Sequence, residues 1–236
     1  DIGGFKRSYK YPDLAPIVGY NHPIYGQTGL EATLDDYLRG VKGNSPGDIW
    51  WNQILYGMSP KGLDVRLTSD LYLQFRADEM MLGHSGAVVM LNAKTGEVLV
   101  MASHPTFNAN HLNEIGSALN KDPEQPLINR AIQGLYPLGS VIDPFRRAFL
   151  PGANPDDELQ ILYQALGFTR APEFQLEVAQ PLSDPDLRYL YVSPLHVALA
   201  SAALSNHGMI PAPSLASSVN TPNEGWIILP VEGTPF

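Results

Sequence analysis

Ser140-Val141-Ile142-Asp143 is the stretch in which residue types and spacing come closest to chemistry. At the start of a helix, side chains three positions apart share a face, so a carboxylate there could act on a serine hydroxyl as a general base. The chemistry would be nucleophilic: a serine relieved of its proton attacks a carbonyl and is acylated. The charge argues the other way. An aspartate with an ordinary pKa of about 3.9 accepts protons weakly at neutral pH, and its anion opposes the negative charge that an attacking serine develops. The same four residues also spell a capping box, in which Ser140 accepts from a first-turn N–H and Asp143 reaches back to the helix start. Pro144 costs no hydrogen bond in that turn, and the charge of Asp143 suits a helix amino terminus.

Other candidates are weaker. Lys94-Thr95-Gly96 lies between two β-rich runs and reads as a turn, while Ser218-Val219-Asn220 reads as part of a loop and Ser205-Asn206 as a helix end. The histidines, His22, His84, His104, His111, His196 and His207, have no metal-ligand spacing. His104 and His111 share a loop with Asn108 and Asn110, where solvation is the plainer reading. No glycine-rich phosphate loop is present, so neither a metal nor another cofactor is expected. Zero cysteines exclude disulfides and thiolate chemistry, and a net charge of -9 argues against nucleic acid as partner. No apolar run is long enough to span a membrane, and Asp1 opens the chain without a signal-like segment. The chain as given reads as soluble, with any upstream anchor lying outside it.

The elements that must position these residues are short, because Pro and Gly number 21 each. Residues 1–29 read as an extended arm packed against the body. Leu30, Leu34, Tyr37 and Leu38 recur at helical spacing before Gly40. Trp50, Trp51 and Tyr56 form an aromatic patch between breakers, expected to pack this amino-terminal region on the main domain. LDVRLTSD alternates as a strand. A helix capped by Thr68 or Ser69 and ending at Gly83 should turn Leu71, Phe75, Met81 and Leu82 inward. Runs 86–92 and 97–103 predict a hairpin turning at Gly96. Residues 104–139 read mostly as loop, helices follow from Ser140, at 157–167 and at 194–207, and the tail offers one apolar run, Trp226 to Leu229.

GAVVMLNAKTGEVLVMASHPTFNANHLN followed by PLINRAIQGLYPLGS resembles the segment leading to the nucleophile of class B penicillin-binding protein transpeptidases. YGQTGLEATLDDYLRG is similar to that family's pedestal segment, and DVRLTSDLYLQFRADEMM to the first strand and helix of its transpeptidase domain. LGFTRAPEFQLEVAQP and YVSPLHVALASAALSNHGMIPAPSL resemble two later landmarks, so five blocks fall in order. The resemblance implies a Ser-x-x-Lys, a Ser-x-Asn and a Lys-Thr-Gly strand. Ser140 occupies the nucleophile position, but Asp143 stands where the lysine belongs. No Ser-x-Asn lies between Ser140 and the LGFTRAPEF block, and Val231-Glu232-Gly233-Thr234 is at best a degenerate echo of Lys-Thr-Gly.

The resemblance therefore implies an α+β fold of the penicillin-binding protein type, an antiparallel sheet flanked by helices, truncated or minimal. Residues 1–64 would be a pedestal and linker, and 65–236 a transpeptidase-like domain lacking the later motifs. The expected function is that of an inactive homologue, structural or regulatory, in extracytoplasmic peptidoglycan synthesis and cell division. Cell-wall synthesis or division proteins, or a peptidoglycan peptide, would be its partners. Two alternatives stay open: a serine acyl-transferase or hydrolase that uses Ser140 with a non-lysine base and binds β-lactams, and a non-covalent peptide-binding module.

Overall fold

In the computed structural model, which describes residues 7–150, 159–184, 189–231 and 233, a two-residue ladder of Asn21–His22 with Gly26–Gln27 precedes three longer strands in the first half of the chain. These are β1 (Asp64–Leu67), β2 (Gly86–Leu91) and β3 (Val98–His104). β2 and β3 form the antiparallel hairpin that their valines predict, paired from Gly86 opposite His104 to Leu91 opposite Val98. In the turn, Asn92 Oδ1 accepts from the N–H groups of Lys94 and Thr95. Gly96 sits at φ +78°, and a Cβ there would stand 2.0 Å from the carbonyl oxygen of Ala212. Only glycine fits.

Later strands are β4 (Tyr136–Pro137), β5 (Leu182–Ser183), β6 (Leu190–Val192), β7 (Ala216–Thr221) and β8 (Gly225–Ile228). They build two antiparallel three-stranded sheets, in the orders β4–β6–β5 and β8–β7–β1. The second of these meets the hairpin through a parallel bridge between Glu97 and Ser214, and through Thr68, whose hydroxyl donates to the Val98 carbonyl at 2.7 Å.

The main helices are α1 (Pro46–Tyr56), α2 (Leu71–Met81), α3 (Leu112–Leu119), α4 (Asp143–Phe149), α5 (Leu159–Ala165) and α6 (Pro194–Ser205). Both α2 and α6 pack on the hairpin, which makes this the α+β class that the sequence implies. α6 is shared between two cores. Leu195, Leu199 and Ala203 join Val98, Met101 and Val219 in the larger one, while Ala200 joins Phe145, Phe168 and Val192 in the smaller.

Several local expectations change. Asp70, not Thr68 or Ser69, caps α2, accepting from the Leu73 N–H, because Thr68 is committed to the hairpin. The buried face of α2 is polar: Gln74 and Asp78 are inside, whereas Leu71, Phe75 and Leu82 are exposed. The aromatic patch folds as α1, but Trp50 and Trp51 remain 60% and 56% exposed instead of packing on the body. The amino-terminal arm is packed down at Leu14 and Ile17, in helical turns at Pro12–Leu14 and Ala15–Val18 rather than extended. Residues 112–119 are helical where loop was expected, and Ser218-Val219-Asn220 lies within β7, not in a loop. The helix expected over 30–40 breaks at Leu34 into Gly29–Thr33 and Asp35–Leu38. The start of the 157–167 segment, and Glu232 and Thr234 of the tail motif, lie outside the described residues.

Candidate active site around Ser140

Two buried anchors hold Ser140 outward. Leu138 is fixed by its N–H bond to the Leu190 carbonyl, following the pairing of Tyr136 and Pro137 with β6. Leu138 and Ile142 both enter the smaller core, and the intervening Gly139, Ser140 and Val141 are exposed. The chain passes through a 3-10 turn at Gly139–Ile142 and continues directly as α4. Ser140 therefore stands at a helix start with its hydroxyl in reach of solvent, as a nucleophile position requires.

Among the described residues the Ser140 hydroxyl has no side-chain hydrogen-bond partner; the bond at this site is main-chain, from the Asp143 N–H to the Ser140 carbonyl. Neither residue closes a capping box. The N-cap positions fall on Leu138 and Ile142, and no side chain caps either helix start. The Asp143 carboxylate is half-exposed and lies 4.0 Å from Arg146, an exposed pair worth no more than about 1 kcal/mol. Lys121 is the last lysine in the sequence, so none follows Ser140 at any spacing.

The other motif residues are not drawn to Ser140. Lys94 and Thr95 belong to the hairpin turn, where the Thr95 hydroxyl donates to Glu97 at 2.9 Å. Ser218 and Asn220 pair across β7 with Arg66 and Asp64 on one side and with Ile228 and Trp226 on the other. His111 contacts Glu114, and His22 contacts Asn113. His104, expected in a solvated loop, is instead buried with its Nε2–H donating to Asp78 at 2.8 Å. Gln74 donates to the other Asp78 oxygen at 2.9 Å, while its own Oε1 accepts from the Met101 N–H. Burial pushes the Asp78 carboxyl above the ordinary range, opposed by the bonds from His104 and Gln74.

A serine–histidine pair exists elsewhere and escapes a spacing search for metal or protease motifs. Ser193 Oγ lies 2.7 Å from His196 Nδ1, and His196 Nε2–H donates to the Arg170 carbonyl at 3.1 Å. Nδ1 is therefore an acceptor for the serine hydroxyl. Burial lowers the His196 pKa from 6.5 to about 4, against the opposing bond to Arg170. The pair has the distance of a catalytic dyad but not the access: Ser193 is 0% exposed and His196 2%. It is the capping box of α6, readable from Ser193-Pro194 at a helix start.

Beside Ser140 runs a trench of about 780 Å³, lined by Leu138 and Val141 from the Ser140 segment, by β2 and by α6. None of its lining residues is charged. The site thus combines an open serine, no partnered base and an apolar concavity.

Comparison with known proteins shows what the scaffold around this site is similar to. Residues 86–150 match the family model described as "Penicillin binding protein transpeptidase domain". The chain is 36% identical over 132 residues to the peptidoglycan D,D-transpeptidase MrdA of Acinetobacter baumannii, covering 51% of this chain and 20% of that protein. It is similar in fold to penicillin-binding protein A of M. tuberculosis, solved as a penicillin G acyl-enzyme complex, with a TM-score of 0.78 and 21% identity over 96% of this chain and 71% of that one. A complex of PBP2 with MreC from Helicobacter pylori also matches, with a TM-score of 0.57 and 17% identity over 68% of this chain and 44% of that one. The chain spans 20% to 35% of the length of the curated relatives it matches. Sequence match, hairpin, α6 and the Ser140 helix agree: the family this chain is similar to, in fold and over residues 86–150 in sequence, is that of the class B penicillin-binding protein transpeptidases.

Proposed function

We propose that this chain belongs to a protein that keeps the transpeptidase scaffold without its acyl-transfer chemistry, and that it serves as a structural or regulatory component of extracytoplasmic peptidoglycan synthesis. One observation carries the reading: an exposed Ser140 with no hydrogen-bonded base and with Asp143 in place of the lysine. A free serine hydroxyl is a poor nucleophile, and a neighbouring carboxylate raises the cost of the charge it must develop. Packing supports the same reading. The Ser140 turn, α4 and α6 share one buried core, so the scaffold is held together by contacts that do not involve the Ser140 hydroxyl. In this reading residues 1–64 act as the pedestal. The partner is another cell-wall synthesis or division protein, in the manner of the MreC that a related fold carries.

The trench beside Ser140 brings in the reading of a non-covalent peptidoglycan-peptide binder. Its chemistry counts against that. Stem peptides carry carboxylates and amines, and an uncharged apolar lining offers such groups nothing to replace their water.

The test is intact-protein mass after incubation with benzylpenicillin, on folded protein, with Ser140→Ala alongside. No mass increase is expected in either. A stoichiometric increase that depends on Ser140 would overturn the proposal and make the chain an acyl-transferase or hydrolase with a base supplied from elsewhere.

A further inference from the structure

Between Lys42 and Lys61 the chain leaves the body and returns to the same place. The two ends of this excursion are clasped: Asn44 Nδ2 donates to the Gly40 carbonyl at 2.8 Å and to the Lys61 carbonyl at 3.1 Å, and the Leu63 N–H donates to the Tyr37 carbonyl at 3.0 Å. Glycine lets the clasp close, since a Cβ at Gly40 would run into the Lys61 carbonyl and one at Gly62 into the Leu38 carbonyl. α1 is thereby carried outward on a closed base, with residues 50, 51 and 53–59 all exposed. The clasp and the helix it carries are both internal to residues 37–63.

The projection is nearly uncharged. Residues 43–60 contain one charged side chain, Asp48, and an exposed lysine stands at either end, Lys42 and Lys61. Lys42 sits at the clasp itself, its Nζ 4.8 Å from the centre of the Tyr37 ring. At about 100° per residue, Trp50, Ile54, Trp51 and Leu55 form one apolar face about 140° wide, with Asp48 at one edge and Gln53 beyond the other. A helix of a water-soluble domain turns such a face into the core; here all four side chains are exposed, and the two indole rings lie side by side with centres 6.3 Å apart. Tyr56 and Met58 extend the exposed apolar surface past the helix end.

We propose that α1 lies in the surface of an anionic lipid bilayer, with Trp50, Trp51, Ile54 and Leu55 dipping to the acyl-chain boundary and Lys42 and Lys61 against the headgroups. Length sets the mode. Eleven residues rise about 16 Å, roughly half of a hydrocarbon core, so the helix rests in the interface and does not cross. Residue type sets the medium: indole and phenol rings pair an apolar body with a polar edge, the combination favoured where lipid meets water. Charge sets the lipid. A chain of net charge -9 is repelled as a whole by an anionic surface, and the lysines that bracket the uncharged projection are placed to offset that repulsion where the helix approaches. The proposal does not rest on Ser140 being inert: a penicillin adduct would overturn the function proposed above and leave this one standing.

Tryptophan fluorescence tests it, on Trp226→Phe protein so that Trp50 and Trp51 report, with vesicles of phosphatidylcholine and phosphatidylglycerol brominated along their acyl chains. Dilute protein alone should emit in the red and be quenched by iodide. Vesicles should shift the emission to the blue and the bromines should quench it. Lys42→Gln with Lys61→Gln should raise the lipid concentration at half-quenching about tenfold on these vesicles and leave it unchanged on pure phosphatidylcholine. Ile54→Asp with Leu55→Asp should abolish quenching by bromine while melting as the parent does. Four outcomes would overturn the proposal. Indoles already shielded from iodide in dilute protein would mean that the native chain covers α1, and shielding that grows with protein concentration would mean a second copy. Emission indifferent to brominated lipid, even in protein that floats with the vesicles, would mean that α1 does not touch the bilayer and leave a protein partner as its occupant. Quenching that survives Ile54→Asp with Leu55→Asp would mean that another face makes the contact.

Discussion

Ser193 and His196 lie 2.7 Å apart with both side chains sealed from solvent, so their pairing is felt through pH rather than through substrate. The folded imidazole protonates near pH 4, whereas the unfolded one does so near its ordinary 6.5. A depressed pKa means that the unfolded chain binds the proton first as pH falls. The stability this residue contributes is complete above pH 6.5 and is lost as pH falls toward 4, by about 3 kcal/mol if undiluted by other groups. Denaturant unfolding at pH 7, 6, 5 and 4 should therefore show a steeper acid decline in the parent than in His196→Gln; parallel curves would mean that the histidine is not buried as described. Asp78 acts in the opposite sense. Its raised carboxyl pKa makes its contribution greatest below the ordinary aspartate range and reduces it as pH rises through the folded value. That opposing term belongs in any reading of the parent's acid limb.

The hairpin was legible because two valine-rich runs and a glycine-bearing turn are local signals, and the structure returns them almost residue for residue. Gly96 offers the sharpest check on that element. Gly96→Ala should destabilise by more than about 2 kcal/mol, because the new Cβ meets the Ala212 carbonyl as well as an unfavourable φ. Gly83 has the same φ of +78° with open space around it, so Gly83→Ala should cost only about 1 kcal/mol. Equal losses in the denaturation midpoints of the two variants would mean that the turn does not press on Ala212. Where the sequence misled, the deciding partner was distant. α2 buries Gln74 and Asp78 because Met101 and His104, more than twenty residues on, satisfy them, and no periodicity reports that. α3 contains Gly116, which reads as a breaker but lets the Tyr25 ring come close. β7 reads as a polar loop because its serines and asparagine look exposed until β1 and β8 flank them. At Ser140, residue types were readable and their contacts were not: the capping box was spelled but not formed.

On the scale of the molecule, α1 stands apart. Trp50, Trp51, Ile54, Leu55 and Tyr56 are all at least half exposed, on a helix flanked by breakers. The fold should then be indifferent to them: Trp50→Ser with Trp51→Ser is expected to move unfolding free energy by no more than about 0.5 kcal/mol per site in a thermal melt. A loss of several times that would mean that α1 packs on the body after all. β1 is bound differently. Its partner strand is β7, and the Ser217 hydroxyl reaches the Arg66 carbonyl across 151 positions of sequence. A contact that long-range closes late, after a large loop has been ordered. β1 precedes the strand that completes its sheet by more than a hundred residues, so until β7 has formed it is an unclosed edge.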